Sequence, residues 1–420
     1  MTPLLPIDEA LAIVVAEARD VVATHPRETR RATLWEAGGM VLAEDVRADR
    51  DEPAFDRAMM DGYAVASAAI PPAGVTVPVV ATLAAGSPLP LSNDFHVPEN
   101  AAAAIMTGAA MPRGADAVVI LERCQVTGAR VFIPGPVQTG ANIVRRGSHV
   151  RAGEVVVERG RVIESLTSGV LGTVGAAAFQ VFRRPRVTVL ATGDELVHIE
   201  DTPQLAQVRD SNRRALMALA EDERCRVVDG GIVSDTKLAL REAISESLDS
   251  DVLILSGGVS RGAFDLVHEA LTDVGVDVLF HKVAMKPGKP LLFGRRGRTL
   301  VFGLPGNPVS AWVTAILCVA PALRVLGQRP AAHNWQLALP LLAPLPATGD
   351  RTTFHAAKLG SHDGREDVAG ELGVTPLDWR GSSDHLTYAR GHALIRAEAG
   401  APARARGELV TVVLPRPSHG

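Results

Sequence analysis

Apolar residues recur at helical spacing from Ile7 to Val22, which predicts an N-terminal helix whose Asp8 lies where a carboxylate meets free backbone N–H groups. The period then changes. Between 53 and 142, short runs rich in Val are broken at Pro71-Pro72, Gly86-Ser87-Pro88 and Pro112-Arg113-Gly114, predicting a β-rich region. From Val187 the pattern alternates: strands at 187–191, 226–229 and 251–255, a strand-like 277–284 and a strand at 299–303 are interleaved with helices at 212–221, 236–248 and 264–273. That alternation predicts a mostly parallel sheet covered by helices. The strands starting at Val187 and Asp251 are continuously apolar, as expected when both faces are buried. A long helix over 309–326 closes the region, and beyond it short apolar runs separated by Pro, Gly and charged residues predict a small all-β unit ending at Val413.

Two seams punctuate this pattern, Arg183-Arg184-Pro185-Arg186 and Gly327-Gln328-Arg329-Pro330. They suggest a multi-domain chain of the α/β plus β class: 1–50 with 143–182 as one discontinuous domain, 53–142 as a β-rich insertion, 185–327 as the central α/β domain and 333–416 as the C-terminal β domain. With 420 residues and 47% hydrophobic content, the chain can fill several cores.

Charge narrows the function classes. Lys+Arg 43 against Asp+Glu 47 gives a net of -4, so no global basic field exists to hold nucleic acid or anionic lipid. Cys124, Cys225 and Cys318 are odd in number and scattered, which indicates neither a disulfide framework nor a structural zinc site and fits a reducing cytoplasm. The N-terminus does not read as a signal peptide, and the apolar run Ala311 to Ala320 is shorter than the ~20 residues of a membrane span. A soluble, cytoplasmic protein is expected.

Ligands in open α/β sheets bind outside the carboxyl ends of the strands, so the turns there carry the candidate chemistry. Ala191-Thr192-Gly193-Asp194-Glu195 offers a hydroxyl and two carboxylates; it reads equally as a loop whose acids cap a helix. Ser256-Gly257-Gly258-Val259-Ser260 follows a buried strand, and its glycines would let backbone N–H groups approach a phosphate, or would simply make a tight turn. Asp265 follows at the next helix. Lys286-Pro287-Gly288-Lys289-Pro290, preceded by Lys282, presents lysines stiffened by prolines and suited to an oxyanion. Pro305-Gly306-Asn307-Pro308 opens the long helix, with Asn307 as cap and Pro308 at the first helical position. Asp235 completes the set. Asp194, Glu195, Asp235 and Asp265 with Lys282, Lys286 and Lys289 suit a Mg2+-assisted reaction on a phosphate ester or phosphoanhydride, in which carboxylates hold a hard cation and lysines neutralise oxyanions. The 12 histidines are dispersed and form no His-rich metal motif.

These motifs in this order, joined by Asp210-Ser211-Asn212, resemble the molybdopterin molybdenumtransferase family (MoeA, and the E domain of gephyrin). The similarity extends through the stretch from Pro53 to Ala64, Ile105-Met106-Thr107-Gly108-Ala109, Gly140 to Gly147 and Gly381-Ser382-Ser383-Asp384-His385-Leu386, covering essentially the whole chain. The resemblance implies an elongated homodimer of four-domain subunits with a molybdopterin-binding central domain and a β-barrel-like C-terminal domain. It implies a reaction in which adenylylated molybdopterin and molybdate are the substrates, Mg2+ the cofactor and AMP the leaving group.

By the same resemblance, Glu195, Asp235 and Asp265 are expected to organise Mg2+, with Asp61 and Thr107 acting from the partner subunit. Gly257, Gly258 and Ser260, with Thr192, Gly193, Asp194 and Ser256, would lie along the substrate; Lys282, Lys286, Lys289 and Ser382 would contact oxyanion or molybdate. Pro305, Asn307 and Pro308 would wall the cleft. The chain departs from the family at Ala58, at Ser148-His149 where an acidic pair is usual, and at Ala356 where a basic residue is usual, leaving Arg351 or Lys358 to supply that contact. A second implied reading is a gephyrin-like scaffold that binds a peptide of a cytoskeletal or division protein; the retained acids and lysines favour the enzyme.

Overall fold

A computed structural model describes residues 4–258, 263–330, 333–361 and 372–415, with the side chains of 263–265 excepted. At its centre is a six-stranded sheet in the spatial order Arg226–Val233, Arg186–Thr192, Val252–Ser256, Thr299–Leu304, Leu292–Arg296, Asp277–His281. The first four strands run parallel, Leu292–Arg296 runs antiparallel to both of its neighbours, and Asp277–His281 again runs with the first four. Every residue of Val252–Ser256 and Thr299–Leu304 is buried, because helices cover both faces. Alternate side chains serve the two layers: Val187, Val189, Val252, Ile254 and Phe302 pack toward the helices Ile7–Thr24, Ser211–Asp222 and Pro308–Leu326, whereas Leu190, Leu253, Leu255 and Val301 pack toward Lys237–Ser247 and Ala263–Asp273.

The sheet corrects the sequence expectation in two places. The strand Leu292–Arg296 is legible only as a short run interrupted by Gly294, where a Cβ would come within 2.7 Å of the Asp277 carbonyl oxygen, so glycine is needed for the strands to approach. The strand-like 277–284 divides: Asp277–His281 stays in the central sheet, the chain turns through Lys282 at φ 68°, and Met285–Lys286 joins a different sheet.

The helical run Pro308–Leu326 is long and apolar enough to cross a membrane by length and composition, yet 89% of it is buried inside the protein. It widens into a π-turn at Ala315–Val319, ending two residues before Pro321. Proline removes one i→i−4 hydrogen bond and its ring crowds the carbonyl four residues back, and the wider turn accommodates both. The first helix is Ile7–Thr24, preceded by Pro6, and Asp8 makes no capping bond; its carboxylate instead accepts a bidentate pair from Arg396 at 2.7 and 2.6 Å. The guanidinium holds the Asp8 carboxyl below its ordinary range.

Three further groups of strands surround this core. Thr29–Thr33 pairs with Ala178–Phe182, and Val46–Arg47 with Val155–Val157, over a core containing Leu42, Leu171 and Phe179. Residues between 62 and 133 form a six-stranded sheet. The C-terminal sheet runs Met285–Lys286, Thr352–Ser361, Ala393–Ala397, Leu409–Leu414, Trp335–Pro340, with Leu372–Pro376 added on Thr352–Ser361. A buried carboxylate ties it to the centre: Glu223 accepts from Arg324 at 2.5 and 2.9 Å and from Arg329 at 2.8 Å, while Arg324 also donates to Asn334. All three cysteines are free.

Candidate active site

Three strand ends of the central sheet converge. Thr192, the last residue of its strand, donates its hydroxyl to Asp235, and the Asp235 backbone N–H donates to the Asp194 carboxylate at 3.1 Å. Asp194 and Glu195 are exposed and Asp235 is half-buried, so carboxylate oxygens stay open to the crevice.

Beside them the turn after Val252–Ser256 approaches too closely for any side chain. A Cβ on Gly257 would lie 2.1 Å from the Thr192 carbonyl oxygen, and one on Gly258 would meet Val267 and Thr192 methyls at 2.7 and 2.8 Å; both residues have positive φ. Glycine is therefore required at this pair by conformation and by space. Asn212, one residue into the helix capped by Asp210, bridges two turns by donating to Ser256 Oγ at 3.0 Å and to the Gly306 carbonyl at 2.7 Å. The sequence reading gave Asn212 no role although it stands in the Asp210-Ser211-Asn212 motif. Ser260 lies outside the described residues, and Asp265 stands in the helix Ala263–Asp273 with its side chain outside the description.

The fourth turn points elsewhere. Pro305 is buried and Pro308 begins the helix as expected, but Asn307 makes no capping bond with its side chain; its amide donates to Ser382 Oγ at 2.9 Å, and Val309 N–H donates to the Ser382 carbonyl at 3.2 Å. These bonds tie the long helix to the segment before the short helix His385–Ala389.

Lys286 also faces the C-terminal sheet. Its short strand pairs with Thr352 and Thr353, its ammonium lies 6.0 Å from the Trp379 ring centre, and it lines a cavity of about 440 Å3 with Thr353, His355, Asp378 and Trp379. Lys282 and Lys289 are exposed on the loop flanking it. The carboxylates thus stand at the strand ends while Lys286 lines the cavity, and among the described residues no hydrogen bond joins the two groups.

Of the departures, Ala356 is 1% exposed and packs into the central core. Arg351 donates to the Met285 carbonyl at 3.3 Å, and Lys358 is exposed on the same strand. Where the acidic pair is usual, Ser148 and His149 are exposed, and Arg145 and Arg146 find their carboxylates in Asp56 and Asp51.

Asp61 and Thr107 meet at the ends of paired strands of the 62–133 sheet, where Asp61 accepts from the Thr107 N–H at 2.7 Å and hydroxyl at 2.8 Å. These bonds hold the Asp61 carboxyl below its ordinary range. Among the described residues, neither side chain hydrogen-bonds to the central crevice, and no three His, Cys, Asp or Glu side chains form a metal-binding group. Of the expected Mg2+ ligands, Glu195 and Asp235 are described, and the Asp265 side chain lies outside the description.

Residues 5–175 match the model of the MoeA N-terminal region (domain I and II), and 188–325 that of a probable molybdopterin binding domain. A molybdopterin molybdenumtransferase of Haemophilus influenzae is 37% identical over 72% of this chain and 74% of its own length. Molybdopterin molybdenumtransferase 1 of Mycobacterium tuberculosis is 34% identical over 93% of this chain and 95% of its own. The solved structure of the molybdopterin biosynthesis moea protein from Pyrococcus horikosii superposes with a TM-score of 0.76 at 26% identity, covering 99% of this chain and 100% of that one.

Proposed function

Because the chain belongs to the molybdopterin molybdenumtransferase family, transferases of molybdenum cofactor biosynthesis, we propose that it inserts molybdate into adenylylated molybdopterin with release of AMP in a Mg2+-dependent reaction. The observation that carries this is the joining of Thr192, Asp194 and Asp235 by hydrogen bonds beside the side-chain-free Gly257-Gly258 turn. An anionic phosphoanhydride suits that turn, because its backbone can approach phosphate oxygens without obstruction.

The donor set fits Mg2+. Glu195, Asp235 and Asp265 offer hard carboxylate oxygens, and the bonds to Asp235 and Asp194 each engage a single oxygen of those carboxylates. Bound there, Mg2+ would neutralise charge developing on the anhydride oxygens. Thr192 and Asp194 hold Asp235 in place, while Gly193, Ser256, Gly257, Gly258 and Ser260 line the phosphate path. Lys282, Lys286, Lys289 and Ser382 receive the oxyanion at the molybdate end, and Pro305, Asn307 and Pro308 form the wall between the two ends. Asp61 and Thr107 act from the second subunit of a homodimer built from the four expected domains, in the cytoplasm.

The test is incubation of the purified protein with adenylylated molybdopterin, molybdate and Mg2+, following AMP release and molybdenum incorporation separately. Both are expected, and both are lost with EDTA. Neither product in the presence of Mg2+ refutes the reaction.

A further inference from the structure

Along the strand Thr352–Ser361, side chains alternate between two faces. Phe354 and Ala356 enter the central core, whereas Thr353 and His355 line the cavity shared with Lys286. Most polar groups of that cavity are already engaged: the Thr353 hydroxyl donates to the Arg351 carbonyl at 3.1 Å and the Thr348 hydroxyl to the Glu398 carbonyl at 2.5 Å. His355 differs. It is 8% exposed, and its Nε2 is buried without a hydrogen-bond partner. A buried imidazole with an orphaned nitrogen, beside a lysine, weakens the fold unless something else uses it.

We propose that His355 is a recognition residue for molybdate, donating a ring N–H to the tetrahedral oxyanion that Lys286 attracts into this cavity. This rests on the reaction proposed above and deepens its molybdate end. Lys286 and Asp378 are the charged side chains among the lining residues; the first draws a dianion in, and the second is exposed and opposes it. Burial, and then the Lys286 charge, hold the imidazole below its ordinary pKa and favour its neutral form. A bound dianion acts against both influences and favours the protonated ring. Molybdate binding therefore takes up a proton and tightens as pH falls through the histidine range.

Calorimetric titration of the full-length protein with molybdate, and separately with inorganic phosphate, tests this. His355→Ala is expected to weaken molybdate binding about tenfold or more, the loss typical of a hydrogen bond to a charged group, and to abolish its pH dependence. His355→Gln, which keeps an N–H donor, is expected to restore most of the affinity and none of the pH dependence, and it keeps the test open should the alanine variant fail to fold. In turnover, the half-saturating molybdate concentration of the alanine variant rises more than its rate at saturating molybdate falls. Unchanged affinity and pH slope in both variants, or a wild type that binds no molybdate, overturns the assignment. So does dependence on His355 for phosphate but not for molybdate. Wild-type molybdate binding that depends on His355, without AMP release or molybdenum incorporation, removes the proposed reaction and leaves the assignment standing.

Discussion

The crevice at the strand ends and the cavity beside the C-terminal sheet are neighbours built on opposite principles. In the crevice the polar groups hold one another: Thr192 on Asp235, Asp235 on Asp194, Asn212 on Ser256 and Gly306. In the cavity, Lys286 has an aromatic face as its neighbour and His355 a buried nitrogen without a partner. A pre-bonded set suits groups that must keep one geometry through a bond-breaking step, and a lysine beside an imidazole nitrogen without a partner suits an incoming anion that completes their bonding. The contrast predicts that the two regions can be damaged separately, except through the stability of the fold that carries both.

That stability gives the largest effect. Glu223→Ala leaves the buried Arg324 and the half-buried Arg329 without their carboxylate and is expected to cost about 3–5 kcal/mol, read as a shift in the urea unfolding midpoint. AMP release and molybdate binding should then fall together as the folded population falls; a variant as stable as the wild type contradicts a stabilising role for this carboxylate.

Asp235→Asn keeps an acceptor for the Thr192 hydroxyl but removes the charge. AMP release should drop about 10²-fold, the lower end for loss of a positioned ionisable group, with calorimetric molybdate affinity unmoved. Equal losses in both would merge the two regions into one.

Asn307→Ala removes the 2.9 Å tie to Ser382 at the boundary. About 1 kcal/mol is at stake, a several-fold rise in half-saturating molybdate, and an effect confined to nucleotide affinity would place the boundary wrongly.

The smallest effect is a control outside both regions. Asp8→Asn breaks the pair with Arg396, and because the Asp8 side chain is 65% exposed, solvent screening limits its worth to about 0.5 kcal/mol. The folded carboxyl titrates below its ordinary 3.8, so the pair stabilises above that value and the contribution disappears as pH falls through the lower, folded value. Thermal midpoints of the wild type and Asp8→Asn should therefore differ at neutral pH and converge in acid, with no change in either ligand's affinity.

The central sheet was legible in the sequence because strands buried on both faces leave a continuous apolar signature, as in Val252–Ser256. Leu292–Arg296 escaped because Gly294, required by the Asp277 backbone, breaks the run. At the crevice, Thr192, Asp194 and Asp235 stood at predicted strand ends, and topology alone brings strand ends together. The cavity was opaque for the converse reason: Lys286 and His355 meet only because Met285–Lys286 leaves the central region to pair with Thr352 and Thr353, a contact across dozens of residues that no local pattern announces. Asn307 illustrates the limit most sharply. Its position favours a helix cap, yet its amide bonds to Ser382, 75 residues away, because tertiary neighbours compete with local ones for the same donor.

The most direct test sets Asp235→Asn against Lys286→Ala in one assay, with AMP release and molybdate affinity measured on each variant. The division of labour predicts that Asp235→Asn loses AMP release and keeps molybdate affinity, while Lys286→Ala loses molybdate affinity by about tenfold and keeps AMP release at saturating molybdate. If both variants lower both quantities by the same factor, the crevice and the cavity are a single site and the account is contradicted.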